Sequence, residues 1–254
     1  MRDVIRRVAV LLTVTLLISA VCAGAQTPPP AAPAPPPPPW TGSAGLGLAL
    51  NRGNTATTNL NISFDATHDP KTRSVQKFKG LYLHGKENDL VTLDRLQLEG
   101  RHEQTLSKRL YAFGGLQFLK DQFKEIDYLV APTAGLGIKL VATPATSFNV
   151  DGGVGVKLEK NPGLDRRTDF VITASDKLEH KLSKTATITQ ALGVLWKAKD
   201  FGDALYTFTA GVAASLTTRT QLKVELLDTY ASRPPTAAVK SNDVALLTAL
   251  VYKF

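Results

Sequence analysis

Taken two residues at a time, the stretch Asn242 to Phe254 places Val244, Leu246, Thr248, Leu250, Tyr252 and Phe254 on one face of a strand. Five of these six are apolar, and the run closes on an aromatic. The same alternation recurs upstream. Arg95, Gln97, Glu99, Arg101 and Glu103 oppose Leu96, Leu98 and Gly100. Leu222, Val224 and Leu226 oppose Gln221, Lys223 and Glu225. Phe170, Ile172, Ala174 and Leu178 oppose Lys177, Glu179 and Lys181, with Asp176 breaking the apolar face. Ile188, Leu192, Val194 and Trp196 share a face that Gln190 interrupts.

Turn chemistry separates these runs: Arg52-Gly53-Asn54-Thr55, Asp69-Pro70-Lys71, Ser107-Lys108-Arg109, Thr143-Pro144-Ala145, Asn161-Pro162-Gly163, Ser183-Lys184 and Phe201-Gly202-Asp203. The longest connection runs from Arg233-Pro234-Pro235 to Asn242. The pattern predicts strands at 41–50, 57–67, 74–86, 91–105, 110–123, 128–142, 147–160, 166–181, 185–199, 204–217, 219–231 and 243–254. Pro132 falls inside the sixth and predicts a later start or a bulge there. With almost no helical period, the domain is all-β.

Periodicity alone does not say whether the apolar faces meet lipid or the core of a sandwich. Three features favour a closed antiparallel transmembrane β-barrel of about 12 strands. Charges of both signs recur at spacing two, as in a polar lumen: Arg95, Glu99, Arg101, Glu103, Lys177, Glu179, Lys181, Lys223 and Glu225, with Lys157, Glu159 and Lys197 on similar strands. The runs are long for a globular protein and long enough for a tilted bilayer crossing. Aromatics gather near strand ends, and Trp40, Tyr111, Tyr128, Trp196, Tyr206 and Tyr230 are expected to form the interfacial girdles.

A small repeat supports the strand number. Gly45-Leu-Gly-Leu-Ala-Leu50, Gly135-Leu-Gly-Ile-Lys-Leu140 and Gly153-Val-Gly-Val-Lys-Leu158 share one scheme, with all the glycines on one face. The interval from Gly135 to Gly153 recurs from Gly193 to Gly211 and matches one strand plus a short turn. Small residues inside a narrow barrel leave room for long side chains opposite. A dinucleotide site would need a helix and a third glycine at set spacing, and neither is present.

The other end of the chain sets the compartment. Arg2, Arg6 and Arg7 precede an apolar run from Val8 to Val21, too short to span comfortably, and Ala23-Gly24-Ala25 supplies a small-x-small cleavage pattern. Residues 1–25 are expected to be a signal peptide cleaved after Ala25. A lipid anchor on Cys22 is the weaker alternative, since Val21 sits where a small residue is expected. Cleavage after Ala25 removes the sole cysteine, and the exported chain then has no disulfide. Residues 26–39 are nearly pure Pro and Ala, a polyproline II or disordered leader. Residues 40–254 form the barrel domain. The net charge of +8 becomes +6 without the signal, because three Arg and one Asp leave with it.

Trp40-Thr41-Gly42, Gly45-Leu46-Gly47 and Gly53-Asn54-Thr55 resemble the opening of an uncharacterised family of Gram-negative barrels labelled salt-induced outer-membrane proteins. That family opens its barrel with Trp-x-Gly and follows the first strand with a Gly-Asn-Thr turn. The likeness covers most of 40–254. It implies an outer-membrane location, a barrel fold and no established activity, and it supplies no catalytic residues.

The residues give little support to an enzyme. His68, His84, His102 and His180 include no metal-binding pair at close spacing, and no Gly-x-Ser-x-Gly elbow is present. A Ser–His pair built across strands stays open as a hydrolase reading, as does a soluble periplasmic β-sandwich acting as a binding module. The leading expectation is a narrow channel or an envelope-integrity barrel responding to salt or osmotic stress, without catalytic activity. The mixed lumen charges fit either weak anion preference or paired struts that seal the barrel. No connection is long enough to fold inward as a constriction loop, against a large trimeric porin. No cofactor, metal or nucleic acid is expected. The expected partners are outer-membrane lipid, lipopolysaccharide and the barrel assembly machinery, which would read Leu250, Tyr252 and Phe254. The barrel is expected to be monomeric.

Overall fold

The computed structural model describes residues 38–52, 57–87, 90–236 and 239–254. The expected signal peptide and its cleavage site, nearly all of the Pro/Ala leader, and the Gly53-Asn54-Thr55 turn lie outside the described residues. Twelve strands follow in order: β1 (Trp40–Arg52), β2 (Thr57–His68), β3 (Ser74–Glu87), β4 (Leu90–Thr105), β5 (Leu110–Asp121), β6 (Ile126–Ala142), β7 (Thr146–Lys160), β8 (Arg167–Lys181), β9 (Ala186–Lys197), β10 (Asp200–Ser215), β11 (Thr220–Ala231) and β12 (Asn242–Lys253). Each pairs antiparallel with its neighbours, and β1 pairs with β12, so the sheet is a closed barrel without a free edge.

Closure is tied at the seam. The Gly42 N–H donates to the Phe254 carbonyl, and the Phe254 N–H donates back to the Gly42 carbonyl, each at 3.0 Å. The Phe254 ring lies over Gly42, where an added Cβ would meet it at 2.6 Å. The start of β1, the end of β12 and the turns at 69–73, 106–109, 143–145, 182–185 and 216–219 share one end of the barrel, here the terminal end. The opposite, loop end carries the connections at 161–166 and 232–241.

The register assigns the faces. Leu46 pairs with Leu250 and Ile62, Leu98 with Gly80 and Phe118, and Phe170 with Val156. These positions face outward: Val154 is 63% and Phe170 68% exposed. Most charged residues of the strands occupy the other face, Asp94, Lys120, Asp176 and Asp228 being outward exceptions, and Arg95 is only 6% exposed. Apolar outside and charged inside is the reverse of a soluble core and the pattern of a barrel whose solvent is lipid. The sandwich alternative fails on this point.

Among the boundaries that differ from the sequence expectation, three have a structural reason. β5 stops at Asp121, where a register shift lets a 3₁₀ turn, Gln122–Lys124, leave the ladder. β10 starts at Asp200, because an irregularity between Asp200 and Ala204 absorbs the Phe201-Gly202 kink without ending the strand. Pro132 lies well inside β6, which begins earlier, not later. It pairs with Leu116 of β5, while no ladder pair to β7 forms at Ala131 or Pro132, so the missing N–H costs little.

Candidate functional site

The lumen is built in two halves. In the loop-end half, two apolar clusters cover opposite walls. Leu83, Leu93, Leu227, Ala245 and Leu247, with Leu81 against them, come from β3, β4, β11 and β12. Leu119, Ile126, Leu129, Ala131, Val171 and Leu195 come from β5, β6, β8 and β9. Leu83, Leu119, Leu129 and Val171 are fully buried, so this half is packed shut.

A polar seam runs between the clusters. The Arg95 guanidinium on β4 lies 3.6 Å from the Asp121 carboxylate, and its Nη1 donates to Thr229 Oγ1 on β11 at 3.3 Å. Its Nη2 donates to Gln97 at 3.0 Å. Lys124, carried on the 3₁₀ turn, donates from Nζ to the Thr229 carbonyl at 3.3 Å and lies 3.2 Å from the Asp243 carboxylate. The β5–β6 connection and strands β11 and β12 stand diametrically opposite in a ring of twelve, so Lys124 spans the lumen. Both cations are buried, and buried charges of this kind are held only by partners.

The turn that delivers Lys124 is itself braced. Asp121 Oδ1 accepts the Lys124 backbone N–H at 3.1 Å, and Asn161 Nδ2 donates to the Glu125 carbonyl at 2.6 Å. Glu125 takes a left-handed φ of 54°, which a side-chain-bearing residue adopts only when its surroundings hold it. No constriction loop folds inward at this connection, but one side chain does reach across. The connection is short, but a single turn with a lysine at its end suffices.

The terminal-end half is different. Lys79 and Glu99 face each other across β3 and β4 at 3.7 Å, and their side chains are 47% and 44% exposed although they point into the barrel. Arg101 bonds Glu103 at 2.8 Å and reaches Asp151 on β7 at 2.7 Å, with its guanidinium 3.8 Å from the Phe113 ring centroid. Lys77 also bonds Glu103, at 2.7 Å. Lys177 and Glu179 lie inward on β8. Lys223 pairs with Glu225 at 2.7 Å in this half, whereas Lys157 with Glu159 at 2.6 Å and Lys197 with Asp169 and Asp203 form pairs near the loop end. Lys181, on the same face, donates to the Pro144 carbonyl at 3.1 Å.

All nine residues expected in the lumen thus occupy the inner face: Arg95, Glu99, Arg101, Glu103, Lys177, Glu179, Lys181, Lys223 and Glu225. Of the residues expected in the girdles, Tyr128, Trp196, Tyr206 and Tyr230 lie on the outer face toward the loop end. Trp196 packs edge-on against Tyr206, which in turn meets Tyr230 in a tilted contact there. Trp40 lies outward at the terminal end, against His68 and Phe78. Tyr111 is a correction. It points inward, is 3% exposed, and donates from its hydroxyl to Asp151 at 3.2 Å. The reason is parity: Tyr111 pairs with Gly137, an inner-face glycine, and a Cβ at Gly137 would collide with the Tyr111 ring. The glycine repeat thus makes room for an aromatic that sequence reading placed outside.

Leu250 and Tyr252 are outward on β12, 54% and 48% exposed, with Phe254 beyond them. Of the seam, only Arg95 had a signal in the alternation. Asp121, Thr229 and Asp243 sit at strand ends, and Lys124 lies in a turn, where period two says nothing. His68, His84, His102 and His180 lie on the outer face. His68 contacts Gln76 at 2.7 Å and His180 contacts Thr146 at 2.8 Å. Among the described residues, no group of three or more His, Cys, Asp and Glu side chains is placed to hold a metal ion.

A family model described as "Protein of unknown function, DUF481" matches residues 44–254. The uncharacterized protein YdiY of Escherichia coli (strain K12) is 26% identical over 216 residues, covering 83% of this chain and 82% of its own. Among solved structures, the NanC porin is similar with a TM-score of 0.57 and 11% identity, over 83% of this chain and 100% of its own. The KdgM porin matches with a TM-score of 0.50 and 9% identity, over 84% of this chain and 99% of its own. An outer membrane channel from Pseudomonas putida F1 matches with a TM-score of 0.50 and 12% identity, over 90% of this chain and 100% of its own. At these identities the likeness is one of fold, the fold of outer-membrane channels and porins.

Proposed function

Since the chain belongs to the DUF481 family, a family of unknown function that here has the fold of outer-membrane channels, we propose that it is an exported outer-membrane barrel enclosing a narrow path for small hydrophilic solutes, in a state closed at the loop end. The observation that carries this is the hydrated inner half. Lys79 and Glu99 point inward yet are nearly half exposed. A barrel that served only as a strut would gain by filling that space. Short turns mark the periplasmic side of such barrels, so the terminal end faces the periplasm and the sealed end faces outside.

Three further assignments belong to this reading. Residues 1–25 act as the cleaved signal. Trp40, Tyr128, Trp196, Tyr206 and Tyr230 anchor the barrel at the two lipid interfaces, where lipopolysaccharide meets the outer rim. Leu250, Tyr252 and Phe254 form the segment that the assembly machinery reads, and deletion of Phe254 is expected to lower insertion yield severalfold in envelope fractions. A role in salt or osmotic stress rests on the family resemblance in the opening motifs, and growth of a deletion strain across salt concentrations tests it.

The packed outer half favours a second reading, a purely structural barrel. Planar-bilayer recording of the purified full-length protein separates the two. Small unitary conductance steps support a solute path. Silence across salts and voltages, from protein that still migrates as a heat-modifiable barrel, leaves the structural role.

A further inference from the structure

We propose that the β5–β6 turn is a latch, with Lys124 as its bolt, and that release of Lys124 from β11 and β12 opens the outer half of the lumen. The inference rests on the solute-path reading above, but its geometry stands apart from conduction.

The seal is not one continuous apolar core. Its two clusters sit on opposite walls, one on β3, β4, β11 and β12, the other on β5, β6, β8 and β9. Lys124 ties one wall to the other through polar partners, Thr229 and Asp243. An apolar plug would have to expose its surface to open. A polar seam exchanges its partners for water, at a cost set by ions that desolvate and resolvate together. The bolt also sits on a piece of the wall that stands outside the ladder. β5 and β6 lose register between Leu119 and Asp121, and Gln122–Lys124 stands outside the ladder. The turn is held at one side by Asn161 and at the other by Asp121, so a few bonds fix its inward position. Arg95 differs in kind. It projects from the middle of a regular strand and has Asp121 and Gln97 on its own side, so it stays in place when the turn swings. The half below is open to solvent at Lys79 and Glu99, so freeing the bolt joins it to the outside.

The test uses the full-length protein in proteoliposomes, with Lys124→Ala, Lys124→Arg, and the double variant Lys124→Gln with Asp243→Asn. The double variant removes both charges of the pair and serves if Lys124→Ala does not yield a heat-modifiable barrel. A cysteine at Thr207, inner-facing on β10 and paired with Thr229, reports access, read as its rate of labelling by a charged, membrane-impermeant maleimide. The latch requires labelling at least tenfold faster in Lys124→Ala or the double variant than in the parent, with Lys124→Arg near the parent rate. Unchanged labelling in a folded variant overturns the latch. Bilayer recording is run alongside. Faster labelling together with frequent openings supports both latch and path. Faster labelling without current keeps the latch and overturns the path.

Discussion

The two halves of the lumen hold the same kind of charge pair and behave as different materials. Arg95 and Asp121 face each other with side chains 6% and 5% exposed, whereas Lys79 and Glu99 face each other at 47% and 44%. The separations are nearly equal, 3.6 and 3.7 Å. What differs is water. Leu83, Leu119 and Leu129 exclude it from the first pair, and nothing comparable surrounds the second. A charge pair in the packed half is a structural commitment, because either ion alone would be stranded. A pair in the hydrated half is nearly free to exchange. The count of lumen charges therefore says little about the barrel until each is placed along its axis.

The sharpest way to break this comparison is Arg95→Leu, which leaves the Asp121 carboxylate buried without its guanidinium. Urea unfolding followed by Trp40 and Trp196 fluorescence should show a loss of about 3–5 kcal/mol. A loss under about 1 kcal/mol would mean that water reaches the packed half. Next comes Gly137→Val. Its new methyl groups enter the space of the Tyr111 ring and should cost about 1–3 kcal/mol by overpacking. Pairing it with Tyr111→Ala, which vacates that space, should recover part of the loss, and a purely additive double variant would show that the two do not touch. The smallest effect is expected for Lys79→Leu. Its pair is half exposed, and stability should move by no more than about 1 kcal/mol. A change as large as that from Arg95→Leu would erase the distinction between the halves.

Much of the architecture was legible because a barrel writes its faces into the sequence at period two. Arg95 to Glu103 and Lys223 with Glu225 declared the inner face directly. The alternation does not say how far along the axis a residue lies, so Arg95 and Glu99 looked alike although one is packed and the other wet. Tyr111 was misplaced because its position near a strand end outweighed its parity, which the facing Gly137 decides. The bolt escaped for a plainer reason. Lys124 belongs to no strand, its role depends on Thr229 and Asp243 more than a hundred positions away, and no local pattern encodes a contact across a cavity. The strand irregularities at Asp121 and Asp200 were hidden for the same reason, since each depends on the neighbouring strand.

The pairing of Gly42 with Phe254 has a kinetic consequence. These partners are roughly 200 residues apart in the chain, so the contact that removes the last sheet edge carries the greatest loop-closure cost of any in the barrel. Eleven successive hairpins can form locally while the first and last strands still expose unpaired edges to any other chain. The barrel is therefore most vulnerable to wrong partners just before it is finished. A defect in either closing strand should show itself as a slow final step in assembly more than as a weaker finished product.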